Sequence, residues 1–298
     1  MIHGLGTALI TPFLPDGSVD YEGLDKLLQK QIDGKVDFLV VLGTTAEAAT
    51  MTEEEKTSVW NFVVEKVKGR LPLVLGLGGN NTAQVIEYIT NHKSQIQNCA
   101  AILSVTPYYN KPSQEGLFQH FVAIAKVSPV PIILYNVPGR TGVNLLPETV
   151  MRIYEAAPDK IMGIKEASGN LDQIKKLIQL STTKLDGFSQ LSTLHSKLNI
   201  YIGDDGLAAE GMAAGADGLI SVASNAYPQA FGQIVHQADS KLQAHYAELI
   251  KYLFIEGNPS GIKTVLSQMG LIHNRLRLPL VPNSESIQKL IQQCILSL

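Results

Sequence analysis

The segment Ile161-Met162-Gly163-Ile164-Lys165-Glu166-Ala167 carries the pattern that decides the fold of this 298-residue chain. A short apolar run ends in a lysine and a glutamate, which is typical of a buried β-strand that emerges at a polar edge. Comparable apolar runs recur about every thirty residues along the chain, a spacing typical of repeated βα units. The other seven are residues 7–10, 38–42, 73–77, 101–105, 132–135, 200–202 and 218–222.

Amphipathic helix patterns occupy most of the gaps between these runs. Thr52-Glu53-Glu54-Glu55, for example, is a capping box that predicts a helix start. The runs are apolar on both faces, so both sides of each strand should be covered. Eight alternating βα units favour a closed parallel (β/α)8 TIM barrel over the alternative, an open doubly wound sheet.

The strand signal stops after about residue 225, where helix patterns take over. Three segments are predicted to be helical: residues 244–255, 260–269 and 286–296. We therefore predict a catalytic barrel over residues 1–224 and a C-terminal helical domain over residues 225–298.

Composition excludes several classes of protein. Apolar residues make up 45% of the chain, enough for a large core, and the formal net charge is −3. Without a basic patch, nucleic acid is not expected as a partner. Cys99 and Cys294 are too few for a disulfide framework or a zinc site. No apolar run is long enough to span a membrane, and no signal peptide opens the chain, so a cytoplasmic location is expected.

Polar and glycine-rich residues follow most of the predicted strands. In parallel barrels the chemistry lies at the C-terminal ends of the strands, so these residues should meet at one rim. Besides Lys165, they are Gly43-Thr44-Thr45-Ala46-Glu47, Gly78-Gly79-Asn80-Asn81, residues 106–112, residues 135–142 and Gly203-Asp204-Asp205.

Lys165 is the strongest candidate for a nucleophile. A lysine at the end of a buried strand is desolvated, which disfavours the ammonium form and leaves free amine to attack a ketone. The protonated imine so formed withdraws electrons, and the neighbouring carbon can become a nucleophile. The alternative is a solvated lysine, or one paired with Glu166. Strand alternation argues against that pair, because Glu166 should point away from Lys165 into the outer layer.

Four more residues suit this chemistry. The phenol of Tyr135 can donate and accept a proton, although a tyrosine there could also be a core aromatic. Thr44 and Thr45 offer hydroxyls and consecutive backbone N–H groups to a small carboxylate, or could simply cap a helix. Arg140 offers a bidentate fork to a second carboxylate, unless it forms a surface ion pair.

Three other features carry less weight. The glycines at 76–79 resemble a nucleotide-binding loop, but they lie on the third strand and lack the matching acidic residue, which excludes a dinucleotide site. Asp204 and Asp205 have no clustered histidines or carboxylates nearby, so no catalytic metal is expected. Tyr108 and Tyr109 fit either a packing corner or a contact with a partner subunit.

In order along the chain, residues 43–47, 108–112, 135–142, 163–169 and 203–205 closely resemble the motifs of the N-acetylneuraminate lyase / dihydrodipicolinate synthase family. The resemblance extends nearly end to end and includes Asn258-Pro259, Lys263 and residues 276–280. It implies a (β/α)8 barrel with the activity of a 4-hydroxy-tetrahydrodipicolinate synthase, in lysine and diaminopimelate biosynthesis. The implied substrates are pyruvate and L-aspartate 4-semialdehyde, without a cofactor or metal.

The resemblance also implies roles for the catalytic residues. Lys165 would form the imine with pyruvate, and Tyr135 would relay protons through Thr44 to Tyr109 of a neighbouring subunit. The family commonly forms a homotetramer, built as a dimer of dimers.

The same resemblance implies how the substrates bind. Thr45, with the main chain of Thr44, would hold the pyruvate carboxylate, and main-chain groups at Gly203 and Ile220 would line the pocket. Arg140 would receive the carboxylate of the semialdehyde.

Two departures from the family pattern stand out. Ala46 replaces the usual glycine and adds a methyl beside the carboxylate cradle, which we expect to be tolerated. The chain is also longer than usual between Lys165 and Gly203, with extra residues at 184–196 that include Phe188 and His195. We expect these to lengthen the surface helices.

The third departure from the family pattern concerns the residues of the allosteric lysine site. Asn80 and Tyr108 match feedback-inhibited members, and Gln84 and Ala49 also belong to this region. Four residues replace the usual serine, histidines and glutamate: Ala48, Glu53, Lys56 and Gln84. Because Lys56 would place a cation where a cationic effector must bind, weak or absent inhibition by lysine is predicted.

Two alternatives stay open at this stage. Sialic acid lyase and the 2-keto-3-deoxy sugar acid aldolases share the lysine and the tyrosine on the same barrel. Arg140 argues against them, because a sugar chain needs hydroxyl partners rather than a carboxylate fork. A barrel that serves only as a binding or regulatory protein would require Lys165 to be inert.

Overall fold

The computed structural model contains a closed barrel of eight parallel strands in the order β1 to β8, which confirms the predicted fold. The structure describes residues 2–183 and 197–298. The strands are β1 (Gly4–Ala8), β2 (Phe38–Val41), β3 (Leu73–Gly76), β4 (Ala101–Val105), β5 (Ile132–Asn136), β6 (Ile161–Glu166), β7 (Asn199–Ile202) and β8 (Gly218–Ser221). Nearly every strand residue is buried, as expected for strands that are covered on both faces.

The first strand differs most from the sequence prediction. It begins at Gly4, three residues before the predicted start. The sequence pattern does not indicate these first residues, because Gly4 and Gly6 have low β propensity. A Cβ on Gly6 would lie 2.2 Å from the ring of Phe38, so only glycine fits where β1 and β2 pair.

Helices follow the strands as the alternating pattern predicts. Those between the strands are α1 (Tyr21–Asp33), α2 (Glu53–Val67), α3 (Thr82–Asn91), α4 (Lys93–Ile96), α5 (Gln114–Val127), α6 (Pro138–Thr141), α7 (Pro147–Ala156), α8 (Leu171–Thr183) and α9 (Ala208–Ala213). The predicted capping box at α2 is present. The backbone N–H of Thr52 donates to Glu55 Oε2 at 3.0 Å, and the Glu55 N–H donates to Thr52 Oγ1 at 3.2 Å.

Helices also fill the chain after β8. They are α10 (Pro228–Gln237), α11 (Ser240–His245), α12 (Ala247–Phe254), α13 (Ser260–Gln268) and α14 (Glu285–Ser297). The last three match the predicted segments to within a few residues. The short α11 did not stand out in the pattern, because it covers six residues and none of them is buried.

The chain divides into two compact units. One unit combines Met1–Leu73 with Ile220–Leu298, and the other is Val74–Leu219. The predicted boundary between residues 224 and 225 stays a prediction. The predicted extension at residues 184–196, with Phe188 and His195, lies outside the described residues.

The described residues contain neither a membrane-spanning helix nor a metal-binding cluster. None of their helices combines the length and apolar character that a membrane span requires. Within residues 2–183 and 197–298, histidine, cysteine and acidic side chains form no group of three or more that could hold a metal ion. Cys99 and Cys294 are buried free thiols.

A fully buried ion pair stabilises the unit that holds both chain ends. Lys263 Nζ lies 2.5 Å from Glu47 Oε1, with both side chains at 0% exposure, and 4.2 Å from the centroid of the Phe13 ring. Burial lowers the pKa of Lys263 to about 8, although the Glu47 carboxylate favours the charged form. The pair joins the Gly43–Glu47 motif to α13, which follows it by more than two hundred residues in sequence.

Arg277 extends this network. Its backbone N–H donates to Glu47 Oε2 at 3.0 Å, and its guanidinium binds the Glu55 carboxylate with two nitrogens. The guanidinium carbon lies 4.3 Å from the centroid of the Phe13 ring. Planar bidentate contacts of this kind fix geometry as well as charge.

Lys263→Met tests the energetic weight of the buried pair. The variant leaves the Glu47 carboxylate buried without its cation, so it should lower the free energy of unfolding by about 3 to 5 kcal/mol. Urea unfolding followed by circular dichroism measures the change.

The control is Lys176→Met on α8. Lys176 pairs with Glu148, but more than half of each side chain is exposed, so its loss should cost less than about 1 kcal/mol. Equal losses in the two variants would contradict the importance of the buried pair.

Candidate active site

The pairing of β5 with β6 places Tyr135 directly opposite Lys165. Both side chains are buried, and Lys165 Nζ lies 4.5 Å from the centroid of the Tyr135 ring. The two adjacent strands thus bring an amine and a phenol together inside the fold. An amine and a phenol at this separation can act chemically as a nucleophile and a proton carrier.

Gly203 leaves room for the lysine side chain. It follows the last residue of β7, and its backbone N–H donates to Glu166 O at 2.7 Å. A Cβ at this position would lie 3.0 Å from Lys165 Cε and 2.5 Å from Ala167 Cβ. Glycine is therefore required sterically at position 203, beside Lys165.

Glu166 points away from the lysine, as strand alternation predicts. Its side chain is fully buried and accepts a hydrogen bond from Gln173 of α8, in the layer outside the strands. No ion pair between Glu166 and Lys165 is among the salt bridges of the described residues.

Arg140 and Tyr109 lie on two loops that contact each other. Arg140 belongs to the short helix α6 and is exposed. The backbone N–H of Tyr109 donates to Thr141 O at 3.4 Å, which attaches the loop after β4 to α6. The Tyr109 side chain is 89% exposed, and its φ of 74° lies in the left-handed region that non-glycine residues seldom adopt.

Thr44, Thr45 and Ile220 belong to the unit that contains both chain ends. Thr44 and Thr45 begin a 3-10 turn after β2, where Thr44 is exposed and Thr45 is buried. Thr45 Oγ1 accepts a hydrogen bond from Asn258 Nδ2 at 2.9 Å. Asn258 belongs to the Asn258-Pro259 family match, but the sequence pattern does not indicate its contact with Thr45. Ile220 lies on β8 and is fully buried.

The backbone around Ala46 accommodates its methyl group. Ala46 is buried, and it is not among the residues with a left-handed φ. The left-handed residues on either side are Leu42, at 59°, and Glu47, at 57°. Because the turn bends at those two positions, glycine is not needed at position 46 for conformational reasons.

The predicted allosteric residues are divided between the two compact units, with Asn80, Gln84 and Tyr108 in the unit Val74–Leu219. Asn80 Nδ2 donates to Tyr108 O at 3.0 Å, and Gln84 lies in the first turn of α3. In the other unit, Lys56 Nζ forms an ion pair with Glu53 Oε1 at 2.8 Å. Ala49 lies in a 3-10 turn and is exposed.

Comparisons with known proteins show the family to which the chain is similar. The model of the dihydrodipicolinate synthetase family matches residues 1–297. The 4-hydroxy-tetrahydrodipicolinate synthase of Parabacteroides distasonis is 46% identical over 98% of this chain and 97% of its own length.

Solved structures show the same similarity. The chloride-inhibited dihydrodipicolinate synthase of Acinetobacter baumannii, complexed with pyruvate, is 39% identical, with a TM-score of 0.90 over 100% of this chain and 99% of that chain. A monomeric dihydrodipicolinate synthase variant is 37% identical, with a TM-score of 0.91 over 99% of this chain and 96% of its own.

Gly203→Ala tests the space beside the lysine. The added methyl would overlap Ala167 and press on Lys165 Cε, so reductive trapping of pyruvate on Lys165 should slow by more than about tenfold. Trapping is measured by mass spectrometry after borohydride treatment. Gly232→Ala on α10 is the matched control, since a Cβ there meets nothing within 4 Å. Unchanged trapping in Gly203→Ala would contradict the steric role.

Proposed function

The chain belongs to the dihydrodipicolinate synthetase family, and on that premise we propose that Lys165 is its Schiff-base nucleophile. Its activity is that of a 4-hydroxy-tetrahydrodipicolinate synthase, a lyase of lysine and diaminopimelate biosynthesis. The observation that carries the mechanism is the register that sets Tyr135 opposite Lys165, with the amine 4.5 Å from the ring centroid.

In the first step the Lys165 amine attacks the ketone carbon of pyruvate. A water molecule leaves and a protonated imine forms, in which the lysine nitrogen accepts electron density from the neighbouring carbon. The pyruvate methyl then loses a proton to give an enamine. Tyr135 is the proton carrier in this scheme, since its phenol can donate or accept a proton and lies beside the amine.

In the second step the enamine carbon attacks the aldehyde of L-aspartate 4-semialdehyde and forms the new carbon–carbon bond. The substrate's own amine then adds to the imine carbon and closes the ring. Lys165 leaves as free amine, so the enzyme returns to its starting state. Over the whole reaction one water molecule is released, and no electrons are exchanged with an oxidant or reductant.

Substrate recognition in this proposal depends on two carboxylates. Thr45 and the backbone of Thr44 receive the pyruvate carboxylate, while main-chain groups of Gly203 and Ile220 line the pocket. Arg140, an exposed residue of α6, receives the carboxylate of the semialdehyde through its guanidinium. At the pyruvate carboxylate, the hydrogen bond from Asn258 to the Thr45 hydroxyl fixes the rotamer of Thr45.

Tyr109 completes the proposed proton relay through Thr44, in a neighbouring subunit. Its 89% exposure and left-handed backbone suit a side chain that is presented outward to a second copy. We therefore propose a homo-oligomer, with a tetramer as the expected state. The proposal also needs no organic cofactor or metal, and places the enzyme in the cytoplasm.

A condensation assay tests the function directly. Purified protein with pyruvate and L-aspartate 4-semialdehyde should consume both, and Lys165→Met should lose this activity by more than about a thousandfold, as expected when a covalent nucleophile is removed. N-acetylneuraminate and 2-keto-3-deoxy sugar acids should not be cleaved at comparable rates. Cleavage of a sugar acid without condensation would favour the sister aldolases.

Inhibition by L-lysine should be weak or absent. Lys56 pairs with Glu53, and this pairing offsets much of the repulsion between Lys56 and a bound cation. The stronger reason for weak inhibition is therefore Gln84, which replaces the usual glutamate and offers no negative charge to a cationic effector. A steady-state lysine titration at saturating substrates checks this, and Gln84→Glu is the informative variant because it restores a carboxylate. Strong inhibition of the unaltered protein by submillimolar lysine would contradict the proposal.

A further inference from the structure

A buried carboxylate lies on the opposite face of β6 from the proposed nucleophile. Glu166 is 0% exposed and accepts three hydrogen bonds. Oε2 accepts from Asn136 Nδ2 and Gln173 Nε2, each at 2.9 Å, and Oε1 accepts from the Ser168 backbone N–H at 2.8 Å. All three donors are neutral, so a carboxylate is held in the interior by dipoles alone at these contacts. Burial of such a group is costly unless it is fully hydrogen-bonded.

The carboxylate sets the direction of the surrounding amides. Because it only accepts, Asn136 and Gln173 must turn their NH2 groups toward it. Asn136 Oδ1 is then left to accept the Leu145 N–H at 2.9 Å, and Gln173 Oε1 accepts Asn144 Nδ2 at 2.9 Å. Asn144 Oδ1 in turn accepts from Asn136 at 2.7 Å and from Gln173 at 3.1 Å.

This network closes the base of the loop that carries Arg140. Asn136, the last residue of β5, binds both Asn144 and Leu145 and so joins the two ends of the loop. Between them, the Thr141 hydroxyl contacts Val137 O at 3.2 Å and Val143 O at 3.0 Å. Arg140 therefore lies on a short helix whose two ends are fixed by hydrogen bonds.

We propose that Glu166 is a positioning residue: through Asn136, Asn144 and Gln173 it holds the Arg140 loop in the geometry that binds the second substrate's carboxylate. The inference rests on the proposed function, since it explains what holds the Arg140 guanidinium in place to bind the semialdehyde carboxylate. A bidentate contact needs its donors in a fixed plane, so loosening the loop weakens that contact more than pyruvate capture. Glu166 itself touches no substrate, because its side chain lies outside the strands with α8.

Glu166→Gln is the primary test. A glutamine accepts with only one of its two terminal atoms, so its NH2 group faces either the Ser168 N–H or the two side-chain amides. In both cases the network loses at least one hydrogen bond, and the loss of the negative charge weakens the others. The apparent KM for L-aspartate 4-semialdehyde should rise about tenfold, while the KM for pyruvate and the borohydride trapping of Lys165 stay within about twofold.

Gln173→Met is the second variant, and it decides the question if Glu166→Gln does not fold. It removes the α8 contribution without altering β6, so the semialdehyde KM should rise in the same direction. Gln179→Met is the matched control on the same helix, because Gln179 is exposed, and its KM values should not change.

Two outcomes would overturn the inference. Unchanged semialdehyde KM in both network variants would show that the loop does not depend on the carboxylate. An equal rise in both KM values, or loss of pyruvate trapping, would indicate a general structural role. Failure of the unaltered protein to trap pyruvate would instead reject the proposed function, so the two failures are distinguishable.

Discussion

The register between β5 and β6 is the constraint on which the proposed chemistry depends. Tyr135 pairs with Lys165, and one residue later Asn136 pairs with Glu166. Because side chains alternate along a strand, the first pair faces the proposed reaction site and the second pair faces the outer layer. A shift of one residue would exchange the two faces and put the Glu166 carboxylate where the proposed nucleophile lies. A single hydrogen-bonded pairing thus positions both the proposed catalytic pair and the network that supports Arg140.

Much of this arrangement follows from local patterns in the sequence. Seven of the eight strands lie where apolar runs predict them, the capping box at Thr52 forms, and Glu166 points outward as alternation requires. The predicted start of β1 was wrong because Gly4 and Gly6 lack β propensity. Gly4 has a left-handed φ of 82° beside Asp37, and Gly6 lies against the ring of Phe38. That contact depends on tertiary structure and leaves no periodic signal.

The buried charges could not be predicted from the sequence alone. Glu47 and Lys263 are far apart in the chain, and a charged side chain is normally expected at the surface. Their pairing, together with Arg277, holds Glu47 at a left-handed backbone position directly after the Thr44–Ala46 turn. Sparsely populated conformations of this kind persist only where surrounding contacts impose them. The ion pair therefore links the C-terminal helices to the proposed carboxylate cradle. Glu166 shows a different solution, a carboxylate held by neutral donors.

The central claim is that Lys165 forms a covalent imine with pyruvate, and reductive trapping tests it most directly. The unaltered protein is incubated with pyruvate and borohydride, digested, and analysed by mass spectrometry. The account predicts a single reduced pyruvate adduct, on the peptide that contains Lys165, and no adduct when borohydride or pyruvate is omitted. An adduct on another lysine, or condensation activity without any adduct, would contradict it.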